Sequence, residues 1–197
     1  MRALLVKARA AGDRCEIGQV ASALKGAGFE ISSVDLTEDP FDDPLSQLNM
    51  ALMQESEGFD LVYLCGSRGE EWFGDLSLGL EVPWDQISMI LCCYVTPGAT
   101  VFLAAGNTGL ASVSHAIFYA CGYVDTIVAP KFDATWQDNM TAASTYVHQR
   151  FVRGVDPELA VKAASVASGT TYQYRDRATT EETPEYQLYE WLVPEVA

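Results

Sequence analysis

The sequence predicts an α/β fold, a three-layer α/β/α domain around a mostly parallel sheet. Apolar runs of strand length alternate with segments whose apolar residues recur at helical spacing. The run at residues 61–65 is apolar throughout, as expected for a strand that helices cover on both faces. The connections between these elements are short, which favours right-handed strand–helix–strand crossovers.

Strands and helices alternate along most of the chain. Strands are predicted at residues 4–8, 30–36, 61–65, 101–105 and 124–129. Helices are predicted at residues 17–28, 43–58, 83–95, 112–120, 138–154 and 156–169. Gly28 suits the end of the first helix, and Asp43 with Pro44 suits the start of the second. Asp138 and Asp156 are predicted to cap later helices.

Two segments fall outside this alternation. Residues 70–82 are rich in glycine and acidic residues and are predicted to form a long loop. Residues 1–169 make up the predicted α/β domain. Residues 170–197, a charged stretch followed by an aromatic cluster, are predicted to form a C-terminal arm that packs on the domain or on a partner.

The chain is acidic, with a formal net charge of −15 at pH 7. Fourteen Asp or Glu residues lie between Glu30 and Asp85, against one basic residue, Arg68. Such a surface repels phosphate backbones, so nucleic acid is not expected as a partner. Two interpretations stay open, a solvated acidic face and a docking face for a basic partner.

The remaining composition excludes several classes of protein. No apolar run is long enough to span a membrane and the N-terminus lacks a secretory pattern, so we expect a cytoplasmic protein without membrane binding. The five cysteines lack metal-type spacing and are expected to be reduced thiols. Two histidines cannot build a histidine-rich metal site, so neither a metal nor a cofactor is expected.

Two glycine-containing turns are predicted at the carboxyl ends of neighbouring strands, where parallel sheets bind ligands. The first comprises Gly66, Ser67, Arg68 and Gly69, and the second comprises Gly106, Asn107, Thr108 and Gly109. Their backbone N–H groups could bind an anion, although neither turn matches a nucleotide-binding motif. The glycines could equally serve only to allow tight turns.

Side chains around the first turn also allow two interpretations. Arg68 could bind a carboxylate ligand, or it could pair with the acids that follow it, Glu70, Glu71 or Asp75. The aromatic residues Trp72, Phe73 and Trp84 could form a wall for a ligand, or they could pack in the core.

The order of the elements and these two strand ends resemble the caspase-like fold, including the CHAT proteases and bacterial metacaspase relatives. In that family the third strand leads into a Gly-His-Gly turn, and the fourth leads into a small residue followed by the nucleophilic cysteine. The corresponding segments here are residues 61–66 and 101–109, with matching helical segments at residues 115–122, 151–155 and 160–167. The resemblance covers residues 1–168 and implies a peptidase-like domain.

The family's catalytic dyad is missing from the matching positions. The histidine position falls on Ser67, or on Arg68 if one residue is inserted, and the cysteine position falls on Gly106. Glycine supplies no nucleophile, and neither Ser67 nor Arg68 replaces an imidazole. Backbone N–H groups near Gly66 and Gly106 could still stabilise an oxyanion.

Three functions are compatible with this pattern. The resemblance without its dyad implies a catalytically inactive pseudopeptidase domain that acts as an interaction or assembly module, as a homodimer or with a protein partner. One alternative is a small-molecule or anion-binding α/β domain with its ligand at the two turns. The other is a cysteine or serine hydrolase with a rearranged site, using Cys65 with His115, or Ser67 or Ser112. Whether the chain is an enzyme stays open, and the missing dyad favours a negative answer.

Overall fold

The computed structural model describes residues 1–9, 17–37, 43–69, 71–105 and 110–181, without the side chains of Arg68, Leu110 and Glu181. Its strands are β1 (Arg2–Ala8), β2 (Glu30–Asp35), β3 (Phe59–Arg68), β4 (Trp72–Asp75), β5 (Leu80–Pro83), β6 (Val95–Ala104), β7 (Val124–Pro130) and β8 (Tyr172–Asp176). Its helices are α1 (Ile17–Gly26), α2 (Pro44–Leu52), α3 (Trp84–Cys92), α4 (Leu110–Ala120), α5 (Trp136–Val147), α6 (Pro157–Ser168) and α7 (Arg177–Glu181).

The main sheet has the strand order β2-β1-β3-β6-β7-β8. Its strands are parallel except for β8, which runs antiparallel to β7. Helices α2, α3 and α4 pack on one face of the sheet, and helices α1, α5 and α6 pack on the other. This arrangement confirms the predicted three-layer α/β/α fold with a mostly parallel sheet.

The apolar run in β3 is explained by burial on both faces. Val62 and Leu64 contact the layer that contains α2, α3 and α4. Leu61, Tyr63 and Cys65 alternate with them and contact the opposite layer. All five side chains are at most 1% exposed, which is why no polar residue interrupts the run.

Local signals located several helix ends correctly. The Asp43 carboxylate accepts a hydrogen bond from Ser46 N at 2.9 Å and caps α2, although this helix ends at Leu52, well before residue 58. Asp156 caps α6, and Gly169 ends it in the left-handed region, at a φ of 74°.

The predicted cap of α5 was wrong. Thr135 is its N-cap, and Asp138 lies in the first turn, where its carboxylate accepts a hydrogen bond from Thr135 N at 2.9 Å. This reciprocal pair is a capping box. Beyond α5, the chain continues as a short π-helical turn, His148–Val152.

The predicted loop at residues 70–82 was also wrong, because it contains a hairpin. Strand β4 pairs antiparallel with the end of β3, and β5 pairs antiparallel with β4. Each of these strands is only four residues long, too short for a periodic signal. The hairpin becomes possible because β3 continues beyond Cys65 and offers a backbone with which β4 pairs.

Strand β6 begins earlier than predicted and replaces the end of the predicted third helix. Helix α3 ends at Cys92, and residue 95 already belongs to β6. The predicted turn at Pro97 and Gly98 lies within this strand, where the register with β7 shifts between Ala99 and Thr100. Gly98 has a φ of 87°, so it accommodates this irregularity without ending the strand.

The first part of the predicted C-terminal arm forms a strand at the sheet edge. β8 pairs with β7 over five residues, and α7 follows it directly. The Arg177 side chain in α7 donates hydrogen bonds to the carbonyl oxygens of Val124 (3.0 Å) and Phe118 (2.8 Å) and to that of Cys121. Residues 182–197, with the aromatic cluster, lie outside the described residues. Within the described ranges, no helix is both long and apolar enough to cross a membrane.

Candidate functional site

The end of β3 is a paired strand and does not form the predicted glycine turn. Ser67 lies opposite Gly74, and Arg68 lies opposite Phe73, in the antiparallel pairing with β4. The chain turns only after Gly69, whose N–H donates to the carbonyl oxygen of Trp72 at 2.9 Å. The backbone at residues 67–69 is therefore engaged in the hairpin, which argues against an anion cradle at this place.

Position 66 has no room for a side chain, because the aromatic ring of Phe73 lies directly against the backbone of Gly66. A Cβ atom on Gly66 would lie 2.7 Å from Phe73 Cε2 and 3.1 Å from the carbonyl oxygen of Gly74. Both Phe73 and Trp84 are at most 1% exposed, and their rings lie 5.6 Å apart. The interpretation of these two residues as core packing is therefore confirmed, and a ligand wall is not formed by them.

The first turn's remaining predictions have different outcomes. Ser67 is exposed on β3, so its hydroxyl is accessible, but it is part of a paired strand. The side chain of Arg68 is outside the described atoms, so neither interpretation of that residue is tested. Gly106, Asn107 and Thr108 lie outside the described residues, and the second anion-binding turn stays a prediction.

Arg9 is a residue near this strand end that the sequence analysis missed. It follows β1, and its guanidinium donates a hydrogen bond to the carbonyl oxygen of Gly66 at 3.3 Å. Because Ala8 pairs with Gly66 across the sheet, residue 9 is brought to the end of β3. A basic residue directly after a buried parallel strand was the available signal.

Cys65 and His115, the predicted substitute dyad, belong to β3 and to helix α4, which packs on one face of the sheet. Cys65 is fully buried and contacts the layer of α1, α5 and α6. His115 belongs to α4, whose buried residues Val113 and Ile117 contact the opposite face. Cys65 and the buried residues of α4 thus contact opposite faces of the sheet, which argues against a Cys65–His115 dyad, and the dyad stays a prediction.

The other described thiols and the second histidine offer no alternative. Burial raises the pKa of Cys121 to about 11, and its neighbour Cys92 also disfavours the thiolate. Cys93 and His148 are both exposed but lie on different faces of the fold, at the ends of α3 and α5. Ser112 is exposed in the first turn of α4. Within the described ranges, no three His, Cys, Asp or Glu side chains cluster as metal ligands.

A cavity lies beside the same hairpin, where β2 ends. Its volume is about 310 Å³. It is lined by Leu36, Thr37, Asp43, Pro44, Leu45, Leu78, Gly79, Leu80, Glu81, Val82, Pro83 and Gln86. We call this cavity, with its rim, the acidic groove, because every charged residue in its lining is a carboxylate. The sequence predicted the excess of acids here but not the cavity.

One wall of the acidic groove is held by a partly buried polar cluster. Asp35 accepts hydrogen bonds from Lys7 Nζ (2.6 Å), Thr37 Oγ1 (2.6 Å) and Thr37 N (3.0 Å). Burial by itself would raise the pKa of Asp35, but the bonds from Lys7 and Thr37 outweigh it and hold that pKa below its ordinary value. This cluster links β1, β2 and the lining residue Thr37.

Comparison with known proteins relates this architecture to cysteine proteases. No family model matches the sequence, and no curated protein is similar to it. The structure is similar to a secreted C11 cysteine protease from Bacteroides thetaiotaomicron, iotapain, with a TM-score of 0.60 and 9% identity. It is also similar to the Arg-specific cysteine proteinase gingipain R, with a TM-score of 0.52 and 14% identity.

Both similarities extend over most of this chain. They cover 91% of it and 67% of iotapain, and 89% of it and 46% of gingipain R. The chain thus spans about two thirds of the first protease and less than half of the second. At these identities the likeness concerns the fold. The chain has the mixed α/β fold of caspase-like cysteine proteases.

Proposed function

We propose that this chain is a catalytically inactive, peptidase-like domain that acts as an interaction or assembly module. The observation that carries the proposal is the end of β3. The resemblance to caspase-like proteins places a histidine there, whereas Ser67 occupies the position within a paired strand. The nucleophile's position, by the same resemblance, falls on Gly106, which has no side chain. Acyl transfer needs a nucleophile and a base within hydrogen-bond reach.

The contacts of the remaining thiols support the same proposal. Cys65 and Cys121 are completely buried, which keeps a substrate away from both sulfur atoms. A protonated, buried thiol is a poor nucleophile. Cys121 is such a thiol, because burial raises its pKa. Exposed Cys93 has no described imidazole or carboxylate partner: its Sγ contacts the carbonyl oxygen of Met89 at 3.8 Å.

The edge of the sheet supports an assembly role. β8 pairs with β7 on one side, and no other described strand pairs with its outer side. An edge strand of this kind presents backbone groups with which a second chain can pair. In caspase-like proteins, paired domains often meet at the edge strand, so we propose a homodimer, or a heterodimer with an active relative, built on β8.

The catalytic part of the proposal is tested with a panel of fluorogenic peptides that differ in the residue before the scissile bond. We expect no turnover above the rate without protein, and an identical result for Cys65→Ala. In parallel, a thiol-directed electrophile should label exposed Cys93, and Cys93→Ala should lose the label at that site, mapped by mass spectrometry, because the label would report accessibility alone. Turnover that disappears in Cys65→Ala, or in Ser67→Ala or Ser112→Ala, would contradict the proposal.

The assembly part is tested by light scattering on the purified chain over a range of concentrations. We expect a concentration-dependent dimer that Gln173→Lys in β8 weakens, since like charges facing each other across paired edges repel. Ser33→Lys on the opposite edge strand, β2, is the matched control and should leave the dimer unchanged. A monomer at every concentration, or equal effects of the two variants, would exclude a homodimer through β8.

A further inference from the structure

The acidic groove combines an apolar interior with apolar residues at its mouth. Leu80 and Val82 line it from β5, and both are at least nine-tenths buried. Leu78 lines it from the hairpin turn and is 48% exposed, and nearby Leu76 is 60% exposed. A cavity of this size accommodates one or two large side chains of a ligand.

The charges around the groove have one sign. Asp43 and Glu81 line it, and Asp85 precedes the lining residue Gln86 in α3. All three carboxylates are exposed, and none forms an ion pair with another described residue. Since no described lining residue is basic, a cationic group in the groove would meet no repulsion from a charged side chain of the lining.

The helix ends at the groove do not favour an anion. Helices α2 and α3 both begin there, and such N-termini carry partial positive charge. The Asp43 carboxylate already accepts the hydrogen bond of Ser46 N, and Asp85 Oδ1 accepts that of Gln86 N at 2.8 Å. Each helix therefore has its own negative partner, which leaves Glu81 and the second carboxylate oxygens of Asp43 and Asp85 for a cation.

Helices α2 and α3 also carry exposed methionine side chains on their outer surface. Met50 on α2, Met53 directly after α2 and Met89 on α3 are more than half exposed. Helices α2 and α3 contact each other, and both also contribute residues to the groove lining. Unbranched methionine side chains can repack against partners of different shape.

We infer that the acidic groove docks a basic, amphipathic segment of a protein partner. An apolar anchor of the segment enters the cavity beside Leu78, and its Lys or Arg residues face Glu81, Asp43 and Asp85. Charge complementarity favours a basic, amphipathic segment. The apolar cavity can bind its apolar anchor, and the carboxylates at the rim can bind its cationic side chains. The inference deepens the proposed interaction role and rests on it.

The probe for this inference is a labelled peptide of Leu and Lys arranged so that all leucines lie on one helical face. Fluorescence anisotropy with the whole chain should give saturable binding that weakens as salt is raised. A Leu/Glu peptide of the same pattern should not bind, and a scrambled Leu/Lys peptide should bind more weakly. Binding of all three peptides alike, or of none, would overturn the inference.

Matched surface variants locate the binding. Leu78→Ser and Glu81→Gln should each weaken binding of the Leu/Lys peptide, about tenfold for the leucine, which would be the buried anchor contact. The controls are Leu159→Ser on α6, which is 56% exposed against 48% for Leu78, and Glu57→Gln, an exposed acid before β3. Equal effects of site and control variants would show general attraction to an acidic protein and would overturn the inference.

The two proposals fail in distinguishable ways. Peptide turnover would contradict catalytic inactivity and leave the binding measurement untouched, because Leu78 and Glu81 take no part in that test. Loss of specific peptide binding, with no turnover and an intact β8 dimer, would overturn the groove inference alone. Circular dichroism of each variant should match that of the unmodified chain, since both substituted residues are surface-exposed.

Discussion

The end of β3 and the acidic groove lie on the two sides of one hairpin. The β3 side is packed, whereas the β5 side is an open cavity. On the β3 side, Phe73 packs against the backbone of Gly66, and strand pairing occupies Ser67. On the β5 side, the cavity is open and its carboxylates have no described cationic partner. The comparison shows that strand pairing and the Phe73 ring occupy the backbone on the β3 side, whereas the surface on the β5 side is left open as a cavity.

The largest effect is expected at Gly74, which holds the hairpin that separates the two regions. A Cβ atom there would lie 2.0 Å from the carbonyl oxygen of Leu80, and the φ of 155° is one that other residues rarely adopt. Gly74→Ala should lower the free energy of unfolding by about 3 kcal/mol or more, measured by urea denaturation. Binding of the Leu/Lys peptide should be lost as well, because β5 would no longer be held in place.

Gly79 provides the control within the same hairpin. Its φ is 66°, but nothing lies within 4 Å of a Cβ atom placed there. Gly79→Ala should therefore cost only about 1 kcal/mol, the strain of a left-handed residue without a clash. A Gly74→Ala variant no less stable than Gly79→Ala would mean that the close approach to Leu80 does not constrain the hairpin.

A smaller effect is expected at Gly66, where the clash is with a side chain. Gly66→Ala should destabilise by about 2 kcal/mol, since the added methyl group meets the edge of the Phe73 ring. Replacing that ring in Gly66→Ala/Phe73→Leu should recover part of the loss. In a double-mutant cycle of urea denaturation, the double variant should then lose less than the two single variants together. Simple additivity would contradict the closed packing of this strand end.

The smallest effect is expected at Asp35, which orders the groove wall. Its folded pKa is lowered, so its stabilising contribution is present above the unfolded pKa of about 3.9 and is lost as pH falls through the folded value. Asp35→Asn should lower stability at pH 7 by about 0.5 to 1 kcal/mol, since the pair with Lys7 is partly screened by solvent. Stability measured by urea denaturation should converge for the two proteins as pH falls below about 4.

The exposed pair Lys162–Glu158 on α6 is the control for this measurement. Both side chains are more than half exposed, so Glu158→Gln should not measurably change the free energy of unfolding, either at pH 7 or below about pH 4. An Asp35→Asn variant that behaves like this control would show that the polar cluster at Thr37 contributes nothing to the groove wall.

Strands that are buried on both faces were predictable because their signal is local. The apolar runs in β1, β3, β6 and β7 were recognised, although the predicted strands were shorter than the observed ones. The extra residues of β3, from Gly66 to Arg68, are polar or small and carry no apolar signal. Gly66 pairs with Ala8 of β1, and Ser67 and Arg68 pair with β4, so pairing with distant segments makes strand where a glycine turn was predicted.

The candidate site was predictable in its residue types and not in its geometry. The sequence alone determined the alternation of apolar strands and amphipathic helices, the acidic surface and, given the resemblance, the absence of His and Cys at the expected positions. Only the tertiary structure decided that Cys65 and α4 lie on opposite faces, that Phe73 closes over Gly66, and that β5 opens a groove. The reason is that burial and capping act between near neighbours in sequence, whereas faces, hairpins and cavities depend on pairings between distant segments.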